Sequence, residues 1–391
     1  MKKSSEPTMS VPLLNPKSIT TPKCPRHPSS SPPRPIHTPS SVSFRPGRRL
    51  FATPQDQFPT VSDGDDVFSK PDATFRVFFQ NVKGLTHSSG WEDYKYCLHS
   101  LSDIQVDVAG LLETNTPWLQ APHLQADFRS CLRRQFSIGK VTFGSPDSVA
   151  DLVAPKDVFQ AGGNLTFAIS SLVPMISGSD TKLLLDPSGL GRWSGLTIRG
   201  KDGRRFSIIT AYRTCKGSIA TSSLGSTYHR EYSCVKTLQT PTPAPRKVFL
   251  EDITTMIDAL QTDDHDILIM LDANSTLHDD PGFSSMIQHC QLVDLHGASP
   301  APSTYIGASS RRIDYMFGRP QVFSSIRQQG TLSYYAGPLS DHRGLFVDLD
   351  LPTLLGYASV SPTIQVSATE GSSTKARSIS KALSSISLVL R

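Results

Sequence analysis

No stretch of this 391-residue chain stays apolar for the roughly 20 residues that a membrane-spanning helix needs. The longest clean apolar runs, such as Ile267–Leu271, fall far short of it. No apolar segment of the secretory kind follows Lys2 and Lys3. The six cysteines (Cys24, Cys97, Cys131, Cys215, Cys234, Cys290) include no Cys-x-x-Cys pair and no even framework. A zinc module or a disulfide scaffold is therefore excluded, and a reducing compartment is expected. Internal repeats and heptads long enough for a coiled coil are also missing. Apolar residues make up 37% and charged residues 19%, both low for a chain packed throughout.

In their place are 30 prolines and 26 glycines, unevenly spread. Thirteen of the prolines lie in residues 1–60, among many Ser and Thr. Residues 1–50 carry nine Lys/Arg against the single acid Glu6, and residues 352–391 carry four against Glu370. The chain's +5 therefore belongs to its ends, and residues 51–351 have a net charge of −6. Segments so poor in apolar clusters cannot bury enough surface to offset ordering entropy. Residues 1–73 are expected to be a disordered basic Pro/Ser-rich arm, and 352–391 a disordered Ser/Thr-rich tail in which Ala382–Leu390 is a short helix candidate. The arm also suits organelle targeting or nonspecific contact with phosphate backbones. The expected location is nuclear or otherwise intracellular.

The body, residues 74–351, reads as an α/β domain. Strands are expected at Phe75–Val82, Val106–Leu112, Leu165–Ile169, Leu196–Arg199, Phe206–Tyr212, Asp266–Leu271, Ile313–Phe317 and Leu345–Leu349. Helices are expected at Trp91–Ser102 and Val248–Leu260; in the second, Phe249, Leu250, Ile253, Met256, Ile257 and Leu260 form a one-sided apolar stripe. Gly203, between two strand patterns, marks a hairpin, which argues against a purely parallel sheet.

Polar residues collect where strands end. Phe75–Val82 ends in Gln80-Asn81, Val106–Leu112 runs into Glu113-Thr114-Asn115, and Asp266–Leu271 into Asp272-Ala273-Asn274. Asp314 interrupts an apolar run, and Ser340-Asp341-His342 precedes the last strand. Strand ends are generally wet, so one such acid means little. Five similar points invite a second reading, a shared metal or acid–base site at one sheet edge, since clustered carboxylates need a cation to offset their repulsion. His278 and His296 read as structural or surface residues, Gly162-Gly163 as backbone punctuation, and Trp193 as core.

Gln80-Asn81-Val82, Leu112-Glu113-Thr114, Ala211-Tyr212-Arg213, Leu271-Asp272-Ala273-Asn274, Arg312-Ile313-Asp314-Tyr315 and Ser340-Asp341-His342 occur in the order seen in the endonuclease/exonuclease/phosphatase superfamily, which the chain resembles over nearly its whole body. The resemblance implies a four-layer sandwich, two packed mixed β-sheets flanked by helices, and phosphodiester hydrolysis with Mg²⁺, for which Mn²⁺ can stand in. By that resemblance Glu113, Asn81 and Asp341 are the metal ligands, with Glu113 the principal one. Asp272 orients and deprotonates the attacking water, and Asn274 positions the phosphate. His342 donates to a phosphoryl oxygen, Asp314 fixes its tautomer, and Tyr212 contacts phosphate or assists the leaving group. The plainer readings are an Asx turn for Asp272 and Asn274, a surface histidine for His342, an exposed pair with Arg311 or Arg312 for Asp314, and a core aromatic for Tyr212.

Two positions depart from the pattern. Lys83 stands where many relatives carry an acid, removing one possible metal ligand and offering a phosphate contact. Cys215 stands where nuclease relatives often carry Asn. The wording around Glu113-Thr114-Asn115-Thr116-Pro117-Trp118 and Asp186–Trp193 is most similar to endonuclease domains of non-LTR retrotransposons, which implies nicking of DNA to leave a 3′-hydroxyl. The expected partners are DNA and a reverse transcriptase encoded in the same element, with no membrane and a monomeric state. No Tyr-x-Asp-Asp motif follows the body, so the chain is expected to be a fragment or a standalone relic. An apurinic-site repair endonuclease, an inositol or lipid phosphatase, and a catalytically degenerate nucleic-acid-binding module are the alternatives. Lys83, Arg192, Arg213, Arg312 and Arg343 are candidates for a local basic rim.

Overall fold

The computed structural model describes residues 60–357 apart from 65–68, 88–89, 147–159, 179–181, 219, 221, 223–224, 238–243, 298–301, 308–309 and 335. Most of the expected arm and nearly all of the expected tail, with its candidate helix Ala382–Leu390, lie outside the described residues. The strands are β1 (Thr60–Gly64), β2 (Thr74–Asn81), β3 (Val108–Leu112), β4 (Gly139–Gly144), β5 (Asn164–Ile169), β6 (Trp193–Arg199), β7 (Arg205–Tyr212) and β8 (His265–Asp272). They continue with β9 (Val293–Asp294), β10 (Tyr305–Ile306), β11 (Ser310–Arg311), β12 (Asp314–Gly318), β13 (Ile326–Leu332) and β14 (Leu345–Asp350). The helices are α1 (Glu92–Asp103), α2 (Pro122–Phe136), α3 (Thr227–Thr237), α4 (Pro245–Thr262), α5 (Pro281–His289), α6 (Pro320–Ser324) and α7 (Leu351–Leu355).

Two mixed sheets result. The larger runs β1-β13-β14-β2-β3-β5-β4, and the smaller β6-β7-β8-β12-β9. In the first, β2 and β3 are parallel while β14–β2 and β3–β5 are antiparallel; in the second, β7 and β8 are parallel and β8–β12 antiparallel. The hairpin expected at Gly203 joins β6 to β7, with Asp202 and Gly203 at φ 55° and 76°, the left-handed region a tight turn requires. β1, within the segment expected to be arm, pairs parallel with β13. The 73/74 boundary is corrected to that extent, because five residues of this polar stretch satisfy their backbone on a sheet edge.

Side-chain alternation explains the layering. In β2, Phe75, Val77 and Phe79 face the second sheet, where they meet Leu196, Ile198, Phe206, Ile208, Leu268, Met270 and Met316 in one core. The opposite parity, Phe78 with Ala109 and Leu111, packs on Tyr94, Leu98 and Leu101 of α1 and Phe128 and Leu132 of α2. On the second sheet Ile209, Ala211, Ile267, Ile269 and Leu271 pack on the α4 stripe and on Phe283 of α5. Trp193 joins this outer core, as expected. Helix, sheet, sheet and helix make four layers, the architecture expected. Burying each Phe, Leu or Ile of the α4 stripe contributes roughly 1.5–3 kcal/mol. The sheets approach closely at Gly110, where a Cβ would lie 2.4 Å from Thr210 Oγ1 and 2.5 Å from Met270 Cε. No described helix is long and apolar enough to cross a membrane.

Candidate active site

The inward-facing parity of the strands turns polar at one end of the inter-sheet layer. Phe75, Val77 and Phe79 lead to Asn81; Phe206 and Ile208 lead to Tyr212; Leu268 and Met270 lead to Asp272. Asp272 lies opposite Asp314 across β8 and β12, and beside Tyr212 across β7 and β8. Residues distant in sequence thus meet because each occupies the same face at the same end of its strand.

Asp272, Asp314 and His342 are buried, and each brings a ligand-type atom within 4.8 Å of the others. Asp272 Oδ2 accepts from Asn81 Nδ2 at 2.9 Å, and its Oδ1 from the Asn274 backbone N–H at 2.9 Å. That second bond is the Asx turn of the plainer reading, which coexists with membership of the cluster. Burial, and then the neighbouring Asp314, hold the Asp272 carboxyl far above the usual carboxylate range. His342 Nδ1 lies 2.8 Å from Asp314 Oδ2. Burial alone would lower the imidazole, but the charge and hydrogen bond of Asp314 prevail and raise it to about 9. Nδ1 therefore carries the proton and donates to Asp314. The plainer alternative, an exposed pair of Asp314 with Arg311 or Arg312, is not formed among the described residues; Arg312 pairs with Asp294. The Tyr305 ring packs tilted against the His342 ring, centroids 4.8 Å apart, and Gln80 Nε2 donates to the His342 carbonyl at 2.8 Å.

Glu113 follows β3 at φ 50°, an uncommon conformation for Glu. Its loop is held by backbone bonds from Thr114 to Gly163 (3.0 Å) and Asn115 to Gly162 (2.7 Å). Gly163 cannot carry a side chain, since a Cβ would fall 2.8 Å from Thr114 Oγ1. The glycine pair is thus punctuation, as expected, and what it punctuates is the Glu113 loop. Lys83 and Asn274, at φ 51° and 47°, are also left-handed residues just beyond strand ends. Backbone of this kind costs of order 1–3 kcal/mol and persists where surroundings over-determine it.

Burial pushes the Tyr212 hydroxyl well above its ordinary range, with Glu113, Cys215 and Asp272 adding to the effect. Tyr212 is therefore a neutral donor facing Glu113. Its side chain is also core, 5% exposed. Asn274 gives Nδ2 to the Arg213 carbonyl (2.9 Å) and accepts the Cys215 thiol on Oδ1 (3.0 Å). Cys215, raised by burial and by Asp272, supplies a neutral donor. Asp341 lies at the rim, its Oδ2 2.6 Å from Lys83 Nζ.

The expected basic rim is not assembled. Arg192 is buried against Asp186 and Asp252 and Arg213 against Asp280, while the half-buried Arg312 pairs with Asp294. Arg343 gives Nη2 to the Thr331 carbonyl. A body of net negative charge consumes these cations internally, and of the five only Lys83 is more than half exposed. His296 is buried and structural, its Nε2 3.1 Å from the Gly330 and Phe346 carbonyls, whereas His278 is exposed. Sequence reasoning missed Tyr305, and Thr304, whose Oγ1 accepts the Ile313 and Asp314 N–H groups at 3.1 Å. Both lie in an irregular polar stretch with no periodicity to mark them. Arg246, which donates to the Thr214 carbonyl and lies 3.3 Å from Asp280, was equally unmarked.

The donors near the site are oxygens: the Glu113 carboxylate, the Asn81 amide and the Asp341 carboxylate. His342 is engaged through Nδ1, and the Cys215 thiol stays protonated. Oxygen donors of this kind suit a hard divalent ion, and Asp272, Asp314 and His342 are the described residues whose ligand-type atoms lie within 4.8 Å of one another.

No family model and no curated protein matches the sequence. Solved structures do match in fold. An AP endonuclease from Leishmania major superposes with a TM-score of 0.51 at 13% identity, covering 71% of this chain and 87% of its own. A 3′ phosphatase from Neisseria, solved with product DNA hairpin, gives 0.46 at 14% identity over 71% and 99%. The endonuclease domain of a telomere-specific non-LTR retrotransposon gives 0.42 at 10% over 71% and 99%. Two mixed sheets packed face to face between helices, with motifs in that order, give this chain the endonuclease/exonuclease/phosphatase fold.

Proposed function

We propose that the protein is a divalent-cation-dependent phosphodiesterase, a DNA-nicking endonuclease of retroelement type that leaves a 3′-hydroxyl. The observation that carries the reading is the junction of Asp272, hydrogen-bonded to Asn81, with the Asp314–His342 pair. Phosphodiesters resist hydrolysis because anionic oxygens repel the nucleophile and the alkoxide leaves poorly. Asp272, its oxygens oriented by Asn81 and the Asn274 backbone, binds a water and, in its ionised form, which with its pKa raised grows more abundant as the pH rises, takes its proton as the water attacks phosphorus. His342, held as imidazolium by Asp314, donates from Nε2 to a non-bridging oxygen, where negative charge grows in the transition state. Tyr212 donates to the same phosphate group. Glu113 and Asn81 would hold the cation, which when bound supplies charge neutralisation and stabilises the leaving oxygen.

The retroelement assignment rests on the wording of the segments around Glu113 and Asp186–Trp193. Purified full-length protein is expected to convert supercoiled plasmid to open circles with Mg²⁺ but not with chelator, leaving ends that a polymerase extends directly. Cleavage confined to an abasic duplex would instead make it a repair endonuclease. Phosphate release from an inositol polyphosphate with DNA intact would make it a phosphatase. Salt-sensitive DNA retention without any cleavage would leave a binding module.

A further inference from the structure

Arg246 is the second residue of α4, and Lys247 follows it, with no acid in that first turn. Cations at a helix N-terminus oppose the helix dipole, so Arg246 does not serve the helix that carries it. Its guanidinium serves the loops alongside. β7 and β8 end at Tyr212 and Asp272, and the carbonyls that follow leave the ladder and need partners elsewhere. Arg246 supplies them on both sides: Nη1 donates to the Thr214 carbonyl, and Nη2 reaches the Ala273 carbonyl at 3.4 Å. Asp280 Oδ2 accepts from the same guanidinium at 3.3 Å and from Arg213 Nη1 at 2.8 Å. Its Oδ1 caps α5 by accepting from the Phe283 N–H at 3.1 Å. Arg246 and Asp280 are largely buried, unlike the exposed pairs that are worth little. The two loops so joined carry Cys215 and Asn274. Asn274 depends on them for its setting: Nδ2 donates to the Arg213 carbonyl and Oδ1 accepts the Cys215 thiol, with the backbone at φ 47°.

We propose that Arg246 is a positioning residue of this site: braced by Asp280, its guanidinium clamps the Thr214 and Ala273 carbonyls and so sets the Asn274 amide and the Tyr212–Cys215 turn where a phosphate is received. A guanidinium suits the task because its N–H groups diverge in one plane, so acceptors on three segments are met at once. An ammonium on a flexible stem has no such plane. Arg246 acts through Asn274 and not on the phosphate itself. The proposal rests on the phosphodiesterase reading above for the phosphate, but the clamp is measured without turnover.

The test compares full-length wild type with Arg246→Lys, Arg246→Met and Lys247→Met by hydrogen exchange and by nicking kinetics. Lys247 is exposed, shares the first turn and pairs with Glu251, so its variant removes a first-turn cation and leaves the loops alone. The reporters are the Arg213 and Asn274 N–H groups, bonded at 2.9 Å to the Asp272 carbonyl and to Asp272 Oδ1. In Arg246→Met, exchange in peptides covering 213–216 and 273–276 is expected to quicken about tenfold or more, through loss of hydrogen bonds from a charged group. Peptides from β2 and β14 should exchange as before. Arg246→Lys should fall in between, and Lys247→Met should match wild type. On plasmid, kcat of Arg246→Met should drop by about 10²-fold, the effect of a small misplacement, with KM unchanged. Should Arg246→Met melt well below wild type, Arg246→Lys carries the same comparison. Loops that exchange as in wild type, exchange that quickens over the whole chain in both Arg246 variants, or an unchanged kcat despite loosened loops would overturn the proposal. Local loosening, with no cleavage of any phosphodiester by wild type, would sink the hydrolase reading and leave the clamp on Asn274 standing. Unchanged exchange in Arg246→Met, beside a wild type that nicks plasmid, would do the reverse.

Discussion

With Nδ1 held 2.8 Å from the Asp314 carboxylate, His342 remains an imidazolium up to about pH 9, against an ordinary value of 6.5. A raised histidine contributes stability that is fully present below 6.5 and is lost as the pH climbs through about 9. In the proposed mechanism the imidazolium gives its Nε2 proton to the phosphate, so turnover at saturating Mg²⁺ is expected to fall above about pH 9. Asp314→Asn removes the charge that opposes burial. The falling limb should then move to lower pH, with the melting temperature compared at pH 6 as a control for folding. A limb that stays near pH 9 would detach His342 from that role. At this scale the sequence was only partly legible. Asp272, Asp314 and His342 announce themselves by interrupting or ending apolar runs. Lys83, Thr304 and Tyr305 do not, because their partners lie across the fold and leave no mark on local pattern.

Between elements, β2 and β14 are joined by Arg76 and Asp348, paired through two 2.7 Å bonds and almost fully buried. Removing the guanidinium strands a buried carboxylate that burial already raises despite its partner. Arg76→Ala is expected to lose about 3–5 kcal/mol in denaturant unfolding, and Arg76→Met with Asp348→Leu to recover most of it. Equal loss in single and double variants would contradict this. At Gly110 the two sheets leave no room for a methyl group against Thr210 and Met270. Gly110→Ala should cost about 1–3 kcal/mol by overpacking, read from the same unfolding curves; an unchanged midpoint would mean that the sheets are looser than they stand here. Strands rich in apolar and β-branched residues, such as β2, β7 and β8, were expected to within a residue or two. α2 was not, although Leu124, Phe128 and Leu132 keep helical spacing, because its broad charged face masks the stripe. β13 was not legible at all. Gln328, Gln329 and Thr331 are buried there by pairing between β1 and β14, which no hydropathy pattern signals.

For the whole molecule, the layered order places polar strand ends from both sheets at one edge, and this is why weak motifs spread from Asn81 to His342 meet in space. Their order in the chain was enough to expect the four layers and the cluster. The fate of the arginines was not, since which cations are consumed by internal carboxylates depends on distances between elements. Nicking of supercoiled plasmid, followed for wild type beside Asp272→Asn with and without Mg²⁺, tests the convergence most directly. Wild type should relax the plasmid only with the metal, and Asp272→Asn, folded to the same melting temperature, should be slower by about 10²-fold or more. Equal rates in the two proteins, or no relaxation by wild type at any Mg²⁺ or Mn²⁺ concentration, would contradict it.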